Sequence, residues 1–278
     1  MFGHRLLKMA AWPGERRFAV GRERLESVQR QKLALLLRKV AAGETGKCRG
    51  IAADWQWETF ADQVPITDYD DWRGPVNQAR ERGGNALIES PVVRYQPTSG
   101  STSAIKWIPY TRQFLSELDS AISPWIVDLY RQFPRLGQGR HYWSMSWVPT
   151  SLRDSMREDI NDDIQLMSMG KRLLAGATQT VPQDVSLART SEDSLFASLA
   201  YLIGDRSLSM LSIWSPTFGL GLLKSMAIWR EELAQVLASG SWGNRMLGCD
   251  IQSCPRSSRG AELLRQWDGR LSADFFMA

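Results

Sequence analysis

The chain has 278 residues, enough to bury a sizeable core as one large domain or as one large part of a bigger one. With 43% hydrophobic and 23% charged residues, its composition excludes both a disordered polymer and a membrane-embedded protein. The net charge of +4 is interleaved rather than clustered, as in Arg22, Glu23, Arg24, Glu26 and Arg80, Glu81, Arg82, so nucleic acid is not the expected partner.

No stretch approaches the ~18 consecutive apolar residues of a spanning helix, and Met1 to Trp12 lacks the continuous apolar region of a signal peptide. The expectation is a cytoplasmic protein with no membrane partner. Cys48, Cys249 and Cys254 read as free thiols. The only histidines are His4 and His141, too few to complete a structural zinc site with the Cys249/Cys254 pair, so no protein metal site is expected.

After a short basic lead, Arg22 to Ala42 carries apolar residues at helical spacing, with Gly43 beyond its end. Trp55 to Val64 is short and aromatic. Thr67 or Asp68 is placed to cap a further helix that ends near Gly83 and Gly84. Pro91 to Tyr95 and Ile105 to Tyr110 read as strands around a polar loop from Pro97 to Ala104, and Thr111 is placed to cap a helix running to Pro134 despite Pro124.

Further on, His141 to Val148 alternates as a strand does, and Ser151 to Asp163 is charged and weakly patterned. Ser191 to Ile203 is helical, Ser207 to Trp214 reads as a buried strand, and Ser215 and Pro216 open a helix to Ala238 that Gly240 stops. Strands set between helices give an α/β class: a mixed sheet with packed helices, in one domain spanning 1–278.

Chemistry is concentrated in the loop. Thr98, Ser99, Gly100, Ser101, Thr102 and Ser103 combine hydroxyls with closely spaced backbone amides, the glycine allows close approach of an anion, and Lys106 adds a positive charge. It is not a P-loop, because no second glycine precedes Lys106 and no helix follows directly.

The run from Thr98 to Thr111, T-S-G-S-T-S-A-I-K-W-I-P-Y-T, resembles the ATP phosphate loop of the adenylate-forming superfamily. Its I-P-Y-T continuation is similar to the auxin-responsive promoter family of acyl-acid amido synthetases, in its bacterial branch. Trp57, Phe60, Val64, Pro65, Ile66 and Tyr69 match that family's W-x-x-F-x-x-x-V-P-I-x-x-Y pattern. The segments His141 to Ser146 and Ile213 to Phe218 look like its later strands, so the resemblance spans about residues 22 to 250.

The resemblance implies the N-terminal part of the adenylate-forming fold, acyl-CoA synthetase/luciferase-like. It also implies a reaction in which a carboxylic acid is activated by ATP and Mg²⁺ as an acyl-adenylate and passed to an amine or amino acid. Thr98, Ser99, Gly100, Ser101, Thr102, Ser103 and Lys106 would hold the β- and γ-phosphates. Leu118, Ile122, Trp125, Trp214 and Phe218 are candidate walls for the acyl group, each also readable as core; His141 reads as structural or exposed, and no catalytic residue is assigned.

The loop departs from the superfamily at Ser103, Ala104 and Ile105, and the resemblance covers only the first part of the family's length. Two functional classes follow: an acid-activating enzyme, alone or with a separately encoded C-terminal half, and a truncated, non-catalytic relative with at most weak nucleotide binding. Self-association is expected if apolar surface near Leu271, Phe275, Phe276 and Met277 is uncovered.

Overall fold

Helices dominate the computed structural model of the chain, which describes residues 2–82, 87, 90–98, 106–150, 176–248, 251 and 253–271. Its contacts group into two compact units, 12–124 and 1–11 with 125–278, whose boundaries fall within helices rather than in linkers. The α/β class is as expected, with the strands divided between two two-stranded sheets among the described residues.

The unit 12–124 contains the larger part of α1 (Phe2–Arg22), then α2 (Leu25–Ala42), α3 (Glu44–Cys48), α4 (Trp57–Gln63), α5 (Asp70–Arg82), β1 (Val92–Pro97), β2 (Trp107–Thr111) and the start of α6 (Arg112–Gln132). Pro13 and the glycines of the lead concealed α1 from a propensity reading, yet the helix runs through Pro13. A methyl group on Gly14 would overlap the Ser123 side chain of α6, so glycine is what lets these helices approach.

Helix α5 begins where Asp68 caps it: Asp68 Oδ1 accepts the Asp70 N–H at 2.8 Å, and Asp71 Oδ2 accepts the Asp68 N–H at 3.0 Å. Thr67 has another task, accepting the Trp72 indole N–H at 2.9 Å. Strands β1 and β2 form an antiparallel hairpin that pairs Pro97 with Trp107 and Gln96 with Ile108. Thr111 Oγ1 accepts the Phe114 N–H at 3.1 Å and turns β2 directly into α6.

In the unit formed by 1–11 and 125–278, β3 (Arg140–Trp143) lies parallel to β4 (Leu208–Ser212). On its other edge β3 pairs with 178–180: the His141 N–H donates to the Thr178 carbonyl and the Thr180 N–H to the His141 carbonyl, both at 2.8 Å. The Gln179 side chain extends this ladder, exchanging two 3.1 Å hydrogen bonds with the main chain of Trp143. Contrary to the buried strand expected over Ser207 to Trp214, β4 is only partly covered, because a two-stranded sheet leaves it an open edge.

The core of this unit forms around α7 (Ser191–Gly204), which buries Phe196, Ala197, Leu199 and Ala200 and is capped by Thr190 accepting the Asp193 N–H. The long helix expected from Pro216 to Ala238 is divided into α8 (Pro216–Ile228) and α9 (Arg230–Ser239). The break falls at Trp229, whose ring packs edge-on against Phe196 at 5.7 Å, so tertiary packing overrides the continuous helical pattern. Gly240, at φ 73°, ends α9 in the left-handed conformation. A final helix, α10 (Ser258–Gln266), is capped by Ser257 and packs on α9; sequence reading had not identified it.

Candidate functional site

The hairpin β1–β2 presents the segment singled out in the sequence. Its strands carry Val92, Val93, Tyr95, Trp107, Ile108 and Tyr110, β-branched and aromatic residues suited to a pleated surface, with Tyr95 paired to Pro109 and Arg94 to Tyr110. The Thr98 N–H donates to the Lys106 carbonyl at 2.9 Å and closes the ends of the intervening chain. Thr98 and Lys106 therefore stand together at the loop end of the hairpin. Ser99, Gly100, Ser101, Thr102 and Ser103 lie outside the described residues.

Tyr69, one residue before α5, fastens this end of β2. Its hydroxyl accepts the Trp107 N–H at 2.7 Å and donates to the Trp107 carbonyl at 3.1 Å, satisfying both polar groups of a strand edge that faces away from β1. The ring of Tyr69 has two cations over it, Lys106 Nζ at 5.5 Å and the Arg73 guanidinium at 5.2 Å. Arg73 is also paired with Asp70.

Other cations rest on the hairpin's aromatic side chains. The Arg80 guanidinium lies 4.1 Å from the Trp107 ring centre and 6.0 Å from that of Tyr95; Arg94 lies 4.9 Å from Tyr110. Burial pushes the Tyr95 phenol above its ordinary pKa, and the charge of Arg80 pulls the other way. The hairpin is thus a positively charged surface with its cations ordered by rings.

On the α5 side of β2 lies an apolar cavity of about 510 Å³, lined chiefly by Val40, Tyr69, Trp72, Val76, Trp107 and Ile108. None of the five acyl-wall candidates lines it. Leu118 and Ile122 lie half-buried on α6 in the unit 12–124. Trp125, Trp214 and Phe218 belong to the other unit, where Trp125 packs edge-on against Trp143 at 5.4 Å and Trp214 stacks on Phe218 at 5.6 Å.

His141, which the sequence left as structural or exposed, is buried. It lies with His4 and Tyr130, its ring centre 4.6 Å from that of His4. The acceptors fix the tautomers: His4 Nε2–H donates to the Gly139 carbonyl at 2.7 Å and His141 Nε2–H to the Leu136 carbonyl at 3.1 Å, while the Tyr130 hydroxyl donates to His4 Nδ1 at 2.7 Å. Burial lowers both imidazole pKa values, that of His141 to about 4, and raises that of Tyr130 above the usual phenol range. Burial likewise raises the Cys254 thiol to about 11, leaving it protonated; Cys48 is exposed, and Cys249 lies outside the described residues.

Among the described residues, no group of three or more His, Cys, Asp or Glu is placed to hold a metal ion, and no helix is long and apolar enough to cross a membrane.

The sequence matches the GH3 family N-terminal domain over residues 15–268. The chain belongs to the GH3 family. Two solved structures share its fold: "GH3.15 acyl acid amido synthetase", with a TM-score of 0.62, and "AtGH3.15 acyl acid amido synthetase in complex with 2,4-DB", with a TM-score of 0.58. Each is 18% identical over 87% of this chain, and the chain spans less than half of their length, 44% and 43%. No curated protein matches the GH3 chain. In it the matched region contains the whole hairpin, its Tyr69 brace and the cations on its rings.

Sequence reading named Tyr69 only as part of a motif and missed Arg80. The signal for Arg80 was its place at the end of the helix that leads into the hairpin, but only the fold shows that it reaches Trp107.

Proposed function

We propose that the chain supplies the phosphate-binding part of an ATP-dependent acyl-acid amido synthetase. The observation that carries this reading is the closed hairpin end, where Thr98 and Lys106 meet through a 2.9 Å hydrogen bond and Lys106 has no carboxylate partner among the described residues. A lysine so placed, next to a run of hydroxyls and a glycine, suits an anion that brings its own negative charge.

In the reaction, a carboxylate oxygen attacks the α-phosphorus of ATP, the bond to the β-phosphate bridging oxygen breaks, and pyrophosphate leaves with that electron pair. An amine or amino acid then attacks the acyl-adenylate carbonyl, giving the amide and releasing AMP. Thr98, Ser99, Gly100, Ser101, Thr102 and Ser103 grip the β- and γ-phosphates, and Lys106 offsets charge on the leaving pyrophosphate. Mg²⁺ is taken up with the phosphate oxygens.

The reading is tested by titrating the chain with MgATP and by measuring acid-dependent pyrophosphate exchange over a panel of carboxylic acids. Saturable MgATP binding that Lys106→Ala weakens about tenfold is expected. Absence of MgATP binding at millimolar nucleotide would sink it.

A further inference from the structure

Several arginines in this fold are matched to oxygen acceptors of the protein. Arg245, stacked 3.9 Å from the Phe196 ring centre, is held by Glu232 through bonds of 2.6 and 2.9 Å and lies near Glu192 and Asp193. Arg73 has Asp70, Arg30 has Glu26 and Glu58, and Arg49, on the Trp72 ring, donates to the Asp71 carbonyl. Arg80 differs: it is exposed, and no hydrogen bond or ion pair engages it among the described residues, so rings are its only holders.

Those rings belong to the candidate site. Trp107 follows Lys106 in sequence, and its partner across the hairpin, Pro97, precedes Thr98. Tyr95 lies on the same face of β1, two residues before Pro97. The guanidinium therefore lies over the ring of Trp107 and near that of Tyr95, the two aromatics nearest the hairpin's loop end. It is held further by its position in the last turn of α5, where the helix dipole favours a cation. Stacking uses the face of a guanidinium and leaves its N–H edge, a planar fork that matches two phosphate oxygens.

We propose that Arg80 is a second anion-binding residue of the hairpin, acting with Lys106 on the polyphosphate of the nucleotide. This rests on the phosphate reading of the loop and extends it to a residue on another element. A triphosphate has more negative charge than one lysine offsets, and Arg80 is a cation held on the ring of Trp107, the residue after Lys106, and not engaged by a carboxylate among the described residues. Its role is binding and orientation, with no proton transfer.

The test compares the full chain with Arg80→Gln, Arg80→Lys and Arg16→Gln, titrating each with MgATP, inorganic pyrophosphate and adenosine. Arg16 lies over Trp12 at 5.5 Å on α1 and serves as the charge-matched control. Arg80→Gln is expected to weaken MgATP and pyrophosphate about tenfold or more, Arg80→Lys several-fold, and Arg16→Gln not measurably. Adenosine affinity stays unchanged in all three, which separates phosphate recognition from recognition of the nucleoside. Thermal melts of the variants matching the parent exclude a purely structural effect. If the parent binds MgATP and pyrophosphate and Arg80→Gln binds them equally well, the assignment of Arg80 is wrong while the loop reading stands; a parent that binds neither overturns both.

Discussion

The hydroxyl of Tyr69 holds both main-chain groups of Trp107, accepting the N–H at 2.7 Å and donating to the carbonyl at 3.1 Å. Because Lys106 is adjacent and its carbonyl is bound by the Thr98 N–H, Tyr69 fixes the strand from which the lysine projects. Tyr69→Phe keeps the ring and loses both bonds, a cost of about 1 to 2 kcal/mol. The expected result is faster amide exchange at Trp107, weaker MgATP binding and a melting point lower by a few degrees. Unchanged exchange at Trp107 would contradict the brace.

Lys106 and His141 separate binding from folding. Lys106 stands at the hairpin end; His141 is buried with its Nε2–H on the Leu136 carbonyl. Lys106→Ala is expected to reduce MgATP affinity about tenfold with little change in melting. His141→Ala is expected to lower the melting point by several degrees, through a lost buried contact, with little change in affinity for the folded fraction. Equal effects on binding would remove the special place of Lys106.

Much of this site was legible in the sequence because its local chemistry is strong. Thr111 capping a helix, Asp68 capping another, and two β-rich runs around a hydroxyl-rich segment are short-range signals, and each appears in the fold. What escaped depends on distant partners. The Arg80 to Trp107 contact joins a helix to a strand 27 positions away, and neither residue announces the other. The break at Trp229 was hidden for the same reason, since a helical pattern says nothing of the Phe196 ring that receives it. Helix α1 was missed for the opposite cause: Pro13 is a strong local signal that packing of Leu7 and Ala11 outweighs.

The His4–His141 pair makes stability depend on pH. Both folded-state pKa values lie below the ordinary 6.5, that of His141 at about 4, so the native state resists protons that the unfolded chain accepts. The stabilisation is complete above about pH 6.5 and is lost as pH falls towards about 4. For His141 it is on the order of 3 kcal/mol. Denaturant unfolding of the parent and of His141→Gln across this range checks it: the difference in stability between them should shrink as pH falls. A constant difference would show that the imidazole does not titrate as its burial dictates.

Nucleic acid is expected to bind weakly if at all. The cations of the hairpin are divided among the separate rings of Trp107, Tyr110 and Tyr69 rather than set in a continuous track, so few adjacent phosphates are reached at once. Affinity for duplex DNA measured between 50 and 200 mM salt should be small and vanish over that interval. Tight, sequence-selective binding at physiological salt would assign the positive surface to a different partner.

The last prediction is that the 278-residue polypeptide binds MgATP without completing amide synthesis. It spans 44% of the solved synthetase whose fold it shares, and the site proposed in it reaches only the phosphates of the nucleotide. Acyl transfer through an adenylate also requires groups on the base, the ribose, the α-phosphate and the incoming amine. Each set of three or four such hydrogen bonds, at about 1 to 3 kcal/mol each, corresponds to several powers of ten in rate. Phosphate contacts do not compensate, because they hold ground state and transition state alike. In a single-turnover assay with labelled ATP, a carboxylic acid panel and amino acids, the purified monomer should therefore retain ATP intact while equilibrium titration still detects binding. Supplying a polypeptide that covers the remaining length of a GH3 relative should raise product formation. Acid-dependent amide formation by the 278-residue monomer alone would place a complete active site within it.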